Sequence, residues 1–181
     1  MITNCYISNI DNFTHGKNIE IGSFNRIGNN VQFGDNVTVG HNCIIDDNVT
    51  IGDNVVIENY VLLKNGTVIG DDTFIDSYVR SSGNNRIGNS VTVRYGATIA
   101  KGVIINDGAF LSPNVMTIYT THEGAKVTDT IIGAKAFIGT AAVIGPGVKI
   151  AAEVIIGAMA YVSKDCLEKG TYVGVPAMIK K

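Results

Sequence analysis

Three histidines, His15, His41 and His122, carry a side chain whose ordinary pKa lies near neutrality. His122 stands in the polar segment Thr120-Thr121-His122-Glu123, with Asp129 shortly after it. An imidazole there can take a proton from a hydroxyl or ammonium group as that group attacks a carbonyl. Such a base is usually oriented by a carboxylate or a carbonyl on its other ring nitrogen. Glu123 and Asp129 are the nearby carboxylates, and a backbone carbonyl would serve equally. In an extended segment, neighbouring side chains point opposite ways, which counts against Glu123. His15 and His41 read as surface residues.

These residues need elements to hold them, and the sequence supplies a repeat. From Ile21 an aliphatic or aromatic residue recurs every six positions, at 27, 33, 39 and onward to 111, with one gap at Ser81. Four residues after each stands a small or β-branched residue, as at Val31, Val37, Cys43 and Val49. Gly, Asn and Asp fill the positions between, as in Ile27-Gly28, Asp35-Asn36 and Asp47-Asn48. Each hexad reads as a short strand and a tight corner, with the aliphatic and its fourth follower pointing inward. Three hexads close one triangular coil, so equivalent residues stack at a spacing of 18. Successive coils hydrogen-bond at about 4.8 Å and bury their interiors against one another. The register breaks after Thr117 and resumes at Ile132. The stretch 118–131 therefore contains a protruding loop, and His122 lies in it.

Composition agrees. The chain of 181 residues has 25 Ile and 20 Val but 4 Leu, which excludes a helical bundle. The fold class is all-β, in a single domain: an opening segment 1–20, coils 21–175 and a tail 176–181. A net charge of −2 gives no basic footprint for nucleic acid. Met1 to Phe13 has no basic start or apolar stretch of a signal peptide, and no apolar run approaches the ~20 residues of a spanning helix. Cys5, Cys43 and Cys166 are odd in number and form no C-x-x-C pair, so a reducing cytoplasm is the expected setting. Cys43 and Cys166 fall at inward positions and read as core.

The ordered segments Leu111–Gly124 (LSPNVMTIYTTHEG), Ile131–Ile150, Val162–Asp165 (VSKD) and Gly174–Lys180 resemble the hexapeptide-repeat acyltransferases. Within that family they are similar to the maltose, galactoside and surface-polysaccharide sugar acetyltransferases. The resemblance implies a left-handed parallel β-helix and a homotrimer with active sites between subunits. It implies direct transfer from acetyl-CoA to a sugar or nucleotide-linked sugar, with His122 as general base and no metal. It places the acyl-CoA along Thr140, Ala158, Ser163 and Lys164. The coil around Gly139 and Thr140 is the candidate for an oxyanion donor. A basic residue usual after the G-x-P-A segment is replaced here by Met178, leaving Lys180 or Lys181 for the 3′-phosphate.

On the acceptor side, the alignment places Arg94 where related enzymes carry an Asn. Its guanidinium suits a carboxylate or phosphate. Tyr78 lies 18 residues after Tyr60, so the two should stack, as a sugar-binding floor or as a plain aromatic ladder. The hexad Ser81–Arg86, with Asn84, breaks the aliphatic rule and reads either as acceptor side of the cleft or as an internal polar ladder or local bulge. Hydroxyl and amino acceptors need the same base. A γ-class carbonic anhydrase would need three clustered His ligands, which the spacing denies. A non-catalytic β-helix scaffold is the alternative reading.

Overall fold

The computed structural model describes residues 5–7, 13–127 and 129–180. Each hexad is a two-residue strand and a four-residue corner, as in Thr50–Ile51, Val56–Ile57 and Leu62–Leu63. The strands stack into three sheets, the faces of a prism. Face 1 has nine strands, from Tyr6–Ile7 to Tyr161–Val162. Face 2 has eight, from Thr14–His15 to Lys149–Ile150. Face 3 has ten, from Glu20–Ile21 to Ile155–Ile156 and then Thr171–Val173 and Met178–Ile179. The chain visits faces 1, 2 and 3 in turn, so three edges run the length of the prism: 1–2, 2–3 and 3–1.

The pairing is parallel and in the expected register: Ile27 pairs with Ile45, Ile45 with Leu63 and Leu63 with Ser81. Across the loop, Thr117 pairs with Ile144 instead of a residue 18 positions on, so the insertion leaves the sheet intact. From Glu20–Ile21 to Tyr161–Val162 each strand pairs one outward residue with one buried residue, and the buried ones are mostly Ile and Val. Short, stiff β-branched side chains fill a narrow triangular core without conformational loss. Cys43 and Cys166 are buried in it, as expected.

At the corners, Asn36, Asn48 and Asn54 adopt φ of 57, 57 and 55°, the left-handed region that Asn tolerates. Asp35, Asp53 and Asp71 accept the backbone N–H groups of Lys17, Asp35 and Asp53, one coil away, at 2.7 to 2.8 Å. These ladders satisfy corner donors that the sheets leave free.

The two ends depart from the sequence reading. In the opening segment, the strands Thr14–His15 and Tyr6–Ile7 pair with Gln32–Phe33 and Arg26–Ile27, so these described strands continue the coils. In the tail, Met178–Ile179 folds back antiparallel on Tyr172–Val173 and covers the last strand of face 3.

The gap at Ser81 faces inward. The Ser81 hydroxyl lies 2.7 Å from Thr67 Oγ1 and 2.6 Å from Asn85 Oδ1, and Asn85 Nδ2 donates to the Ala100 carbonyl at 2.6 Å. All three side chains are buried, so the internal polar ladder is the structure's answer and Ser81 takes no part in a cleft.

Candidate active site

Edge 1–2 carries the insertion. Between Met116–Thr117 on face 1 and Ile131–Ile132 on face 2 the chain rises into a small hairpin. Thr120 pairs antiparallel with Lys126, and Val127 donates its N–H to the Tyr119 carbonyl at 2.6 Å. Gly124 turns the tip with φ of 82°. The hairpin's return arm rests on the next coil. Gly147 donates its N–H to Thr130 Oγ1 at 2.9 Å, and a Cβ at Gly147 would stand 2.8 Å from Val127 Cγ1.

His122 sits at the tip with 92% of its side chain exposed. Its Nε2 lies 3.8 Å from Glu123 Oε1, a loose ion-pair distance. The turn explains why neighbours approach: residues 121–124 are not extended, so the alternation that counted against Glu123 does not apply. Asp129, exposed at the foot of the hairpin, is not brought to His122 by any contact the structure shows.

Beside the hairpin a cavity of about 320 Å³ is walled by Thr120, Thr121 and His122, then by Gly145 and Pro146 of the next coil, then by Tyr161 and Ser163 of the one after. His122 and Ser163, two sequence candidates, thus share one cavity, and Lys164 follows Ser163 on the same edge. Tyr161 is a wall residue that the sequence motifs did not point to. A count of coils from Thr117, corrected for the insertion, would have placed Tyr161 there. Asn84 also belongs to edge 1–2, two coils before the hairpin, exposed at a left-handed corner.

The other candidates lie elsewhere. Gly139, Thr140, Ala158, Arg94 and Tyr78 all fall on edge 3–1, a full face away from the hairpin's edge. The Gly139 N–H donates to the Ile156 carbonyl at 2.8 Å, so it is spent in the sheet and unsuited as an oxyanion donor. Arg94 is held by Asp76, Nε to Oδ2 at 3.0 Å, and its guanidinium lies 5.8 Å from the Phe74 ring centre. Tyr78 stacks on Tyr60 with ring centres 4.9 Å apart and planes 15° apart, and Tyr95 leans on it at 5.4 Å. The ladder reading therefore describes what is seen. Lys180 ends the antiparallel strand, its N–H donated to Thr171. Burial pushes the Cys43 and Cys166 thiols up to about 11, so neither is a ready nucleophile.

Three parallel sheets from six-residue repeats, with one histidine-bearing hairpin on an edge, define a hexapeptide-repeat β-helix. The family model described as "GMPPB C-terminal domain" matches residues 27–123, and that described as "Bacterial transferase hexapeptide (six repeats)" matches residues 129–164. The first spans more than half of the sequence, so the chain belongs to that family of hexapeptide-repeat β-helices, and its later coils carry the bacterial transferase repeat. Among solved structures, a UDP-N-acetylglucosamine acyltransferase from Bacteroides fragilis is 20% identical, covers 99% of this chain and 74% of its own, and superposes with a TM-score of 0.78. A galactoside acetyltransferase in complex with coenzyme A is 28% identical over 65% of this chain and 64% of its own, with a TM-score of 0.58. A maltose O-acetyltransferase from Clostridium difficile is 26% identical over 65% and 69%, with a TM-score of 0.57. The resemblance to the hexapeptide-repeat acyltransferases is borne out, and the class is acyl-CoA-dependent acyltransferase.

Proposed function

We propose that this protein transfers an acetyl group from acetyl-CoA to a hydroxyl or amino group of a sugar or nucleotide-linked sugar, with His122 as general base. The observation that carries this is the cavity on edge 1–2, which sets the hairpin's imidazole opposite Ser163 and Tyr161. In the transfer, His122 takes the acceptor's proton as its oxygen or nitrogen attacks the thioester carbonyl. The tetrahedral intermediate collapses, the C–S bond breaks and the CoA thiolate leaves, recovering the proton from the imidazolium. The step is direct. The buried thiols of Cys43 and Cys166, pushed up to about 11, offer no route to an acyl-enzyme. Glu123 is the carboxylate best placed to steady the imidazolium.

Ser163 and Lys164 are proposed to meet the donor beside His122, with Thr140, Ala158 and Lys180 contributing from elsewhere on the prism. Because Thr140 and Ala158 lie on a different edge, they serve the same site only across a boundary between copies. The reading accordingly includes a homotrimer with shared sites, in the cytoplasm. The exposure of His122 fits a base that a neighbouring copy and the substrates cover.

Thiol release from acetyl-CoA with a panel of sugars and nucleotide-linked sugars tests the reading. His122→Ala is expected to lower turnover at least a hundredfold while acetyl-CoA binding persists, on the scale of general-base contributions. Retained turnover removes His122 from the role. Wild-type protein that neither binds CoA nor releases thiol favours the scaffold.

A further inference from the structure

Charge is unevenly placed around the prism. In the three coils that precede the hairpin, edge 1–2 and its flanking strands hold Lys64, Arg80, Arg86 and Lys101 and no carboxylate. At the same levels edge 2–3 presents Asp71, Asp72 and Asp107, and edge 3–1 presents Asp76 tied to Arg94. All four cations of edge 1–2 are exposed. Lys64 has a partner in Asp46, one coil earlier, at 3.2 Å, but the same carboxylate also holds Arg26 at 3.3 Å. Among the described residues, Arg80, Arg86 and Lys101 have no ion pair. Like charges on adjacent coils, spaced about 4.8 Å, repel across a Debye length of about 8 Å at physiological salt. An anion seated among them removes that repulsion.

The corner between Arg80 and Arg86 is also braced from inside. Gly83 is buried with φ of 99°, and its N–H points at Ser81 Oγ and Asn85 Oδ1, both at 3.2 Å. A Cβ on Gly83 would stand 2.8 Å from the Asn65 carbonyl oxygen. Asn85 Nδ2 donates to the Ala100 carbonyl, next to Lys101, at 2.6 Å. The Ala100 N–H donates in turn to Thr117 Oγ1 at 2.7 Å, on the strand from which the His122 hairpin rises. The buried polar ladder thus links the cationic corners to the foot of the hairpin. Fully satisfied polar networks of this kind rigidify what they join.

We infer that Arg80, Arg86 and Lys101 bind a phosphate or pyrophosphate group of the acceptor, so that the sugar presented to His122 is a phosphorylated one. The inference rests on the acetyl-transfer reading above and narrows its acceptor. Ser163 and Lys164, proposed for the donor, lie on edge 1–2 after the hairpin, whereas this strip lies before it. His122 stands between the two. The strip's two corners are one and two coils from the hairpin, about 5 and 10 Å, a span that one sugar ring and its anomeric substituent bridge. The charge also fits. A phosphate carries about −1.5 to −2, which three free cations match, whereas one carboxylate would leave two of them bare. Guanidinium forks take phosphate oxygens in pairs, and the ammonium adds a point charge. Arg94, on another edge, is spent on Asp76.

Calorimetric titration with pyrophosphate tests this, on the full chain saturated with coenzyme A so that the donor's own phosphates fill their contacts. Wild type is expected to bind at a single site. Arg80→Gln combined with Arg86→Gln should weaken binding roughly tenfold or more, the scale of a lost charge-assisted hydrogen bond, with an unchanged circular dichroism spectrum. Lys101→Gln, on the next coil, should weaken it too, and gives a second reading if the double variant fails to fold. Lys135→Gln, on edge 2–3, should change nothing. A wild type that binds no pyrophosphate, or binding that falls equally with Lys135→Gln, overturns the inference. A raised KM for acetyl-CoA in the arginine variants also overturns it, because the strip would then serve the donor. Competition identifies the source of the phosphate. Displacement by glucose 1-phosphate and UDP-glucose alike assigns a sugar phosphate, and displacement by UDP-glucose alone assigns a nucleotide-linked sugar. Displacement by neither means an adventitious ion only and overturns the site. His122→Ala should bind pyrophosphate as wild type does. Binding without thiol release from any sugar sustains the strip while removing the catalytic reading. Thiol release without pyrophosphate binding does the reverse.

Discussion

At the scale of single residues, titration distinguishes structural from chemical side chains. Cys43 and Cys166 are buried and their thiols are pushed up to about 11, first by desolvation. Cys43 also accepts backbone hydrogen bonds that pull the other way, from Val61 and Tyr60. The folded state therefore holds these protons more tightly than the unfolded chain, whose thiols titrate near 9. Their contribution to stability is complete below that value and is lost as pH rises from about 9 to about 11. Denaturant midpoints of the wild type should fall over that window more steeply than those of a Cys43→Ala, Cys166→Ala double variant. Equal slopes would show that the thiols ionise freely in the fold. Neither cysteine is then a hidden nucleophile, which leaves His122 as the residue on the cavity wall suited to move a proton near neutrality.

At the scale of elements, the hairpin decides where that imidazole stands. Its return arm is fixed by the Thr130–Gly147 hydrogen bond and by Val127 packed over Gly147, whose φ is 74°. Gly147→Ala would place a methyl group 2.8 Å from Val127 Cγ1 in a backbone conformation that costs about 1–3 kcal/mol outside glycine. The arm must lift. The expected outcome is a lower denaturant midpoint and a fall in kcat exceeding any rise in KM for acetyl-CoA. The reverse split would mean that the arm shapes donor binding instead. The hairpin also shows what the sequence carried and what it did not. Between Ile21 and Val162 the six-residue period gave the strands, the two-sided alternation and the extent of the insertion, because each is a local pattern, whereas the strands at the two ends lie outside it. The edges were legible too, since counting in steps of 18 assigns them. Applied to Tyr60 and Tyr78, that count foresaw the stack. Applied to Arg94, Gly139 and Ala158, it would have separated them from His122, but those residues were grouped by resemblance alone. The turn that brings Glu123 to His122 was not legible, because a two-stranded hairpin inside an insertion follows no period. Nor was the partnership of Ser81 with Thr67 and Asn85, which depends on inward contacts between coils.

At the scale of the whole molecule, a solenoid is stabilised by contacts between neighbouring coils, so each end exposes a sheet edge that another chain can extend. Here the later end is closed on face 3 by the strand Met178–Ile179, which runs antiparallel to Tyr172–Val173 and blocks further parallel addition. Tyr161 is tied in the same way, its N–H donated to the Gly174 carbonyl and its carbonyl accepting from Ala177. This closure opposes association end to end. Removing residues 177–181 should therefore expose that sheet edge. The bared strand Thr171–Val173 should drive concentration-dependent end-to-end growth. Light scattering would report that growth. A truncated chain that keeps the wild-type mass at high concentration would show that the last coil needs no cover. That result would assign Met178 and Ile179 to the cavity of about 260 Å³ they share with Lys164 and Tyr172, not to protection of the sheet.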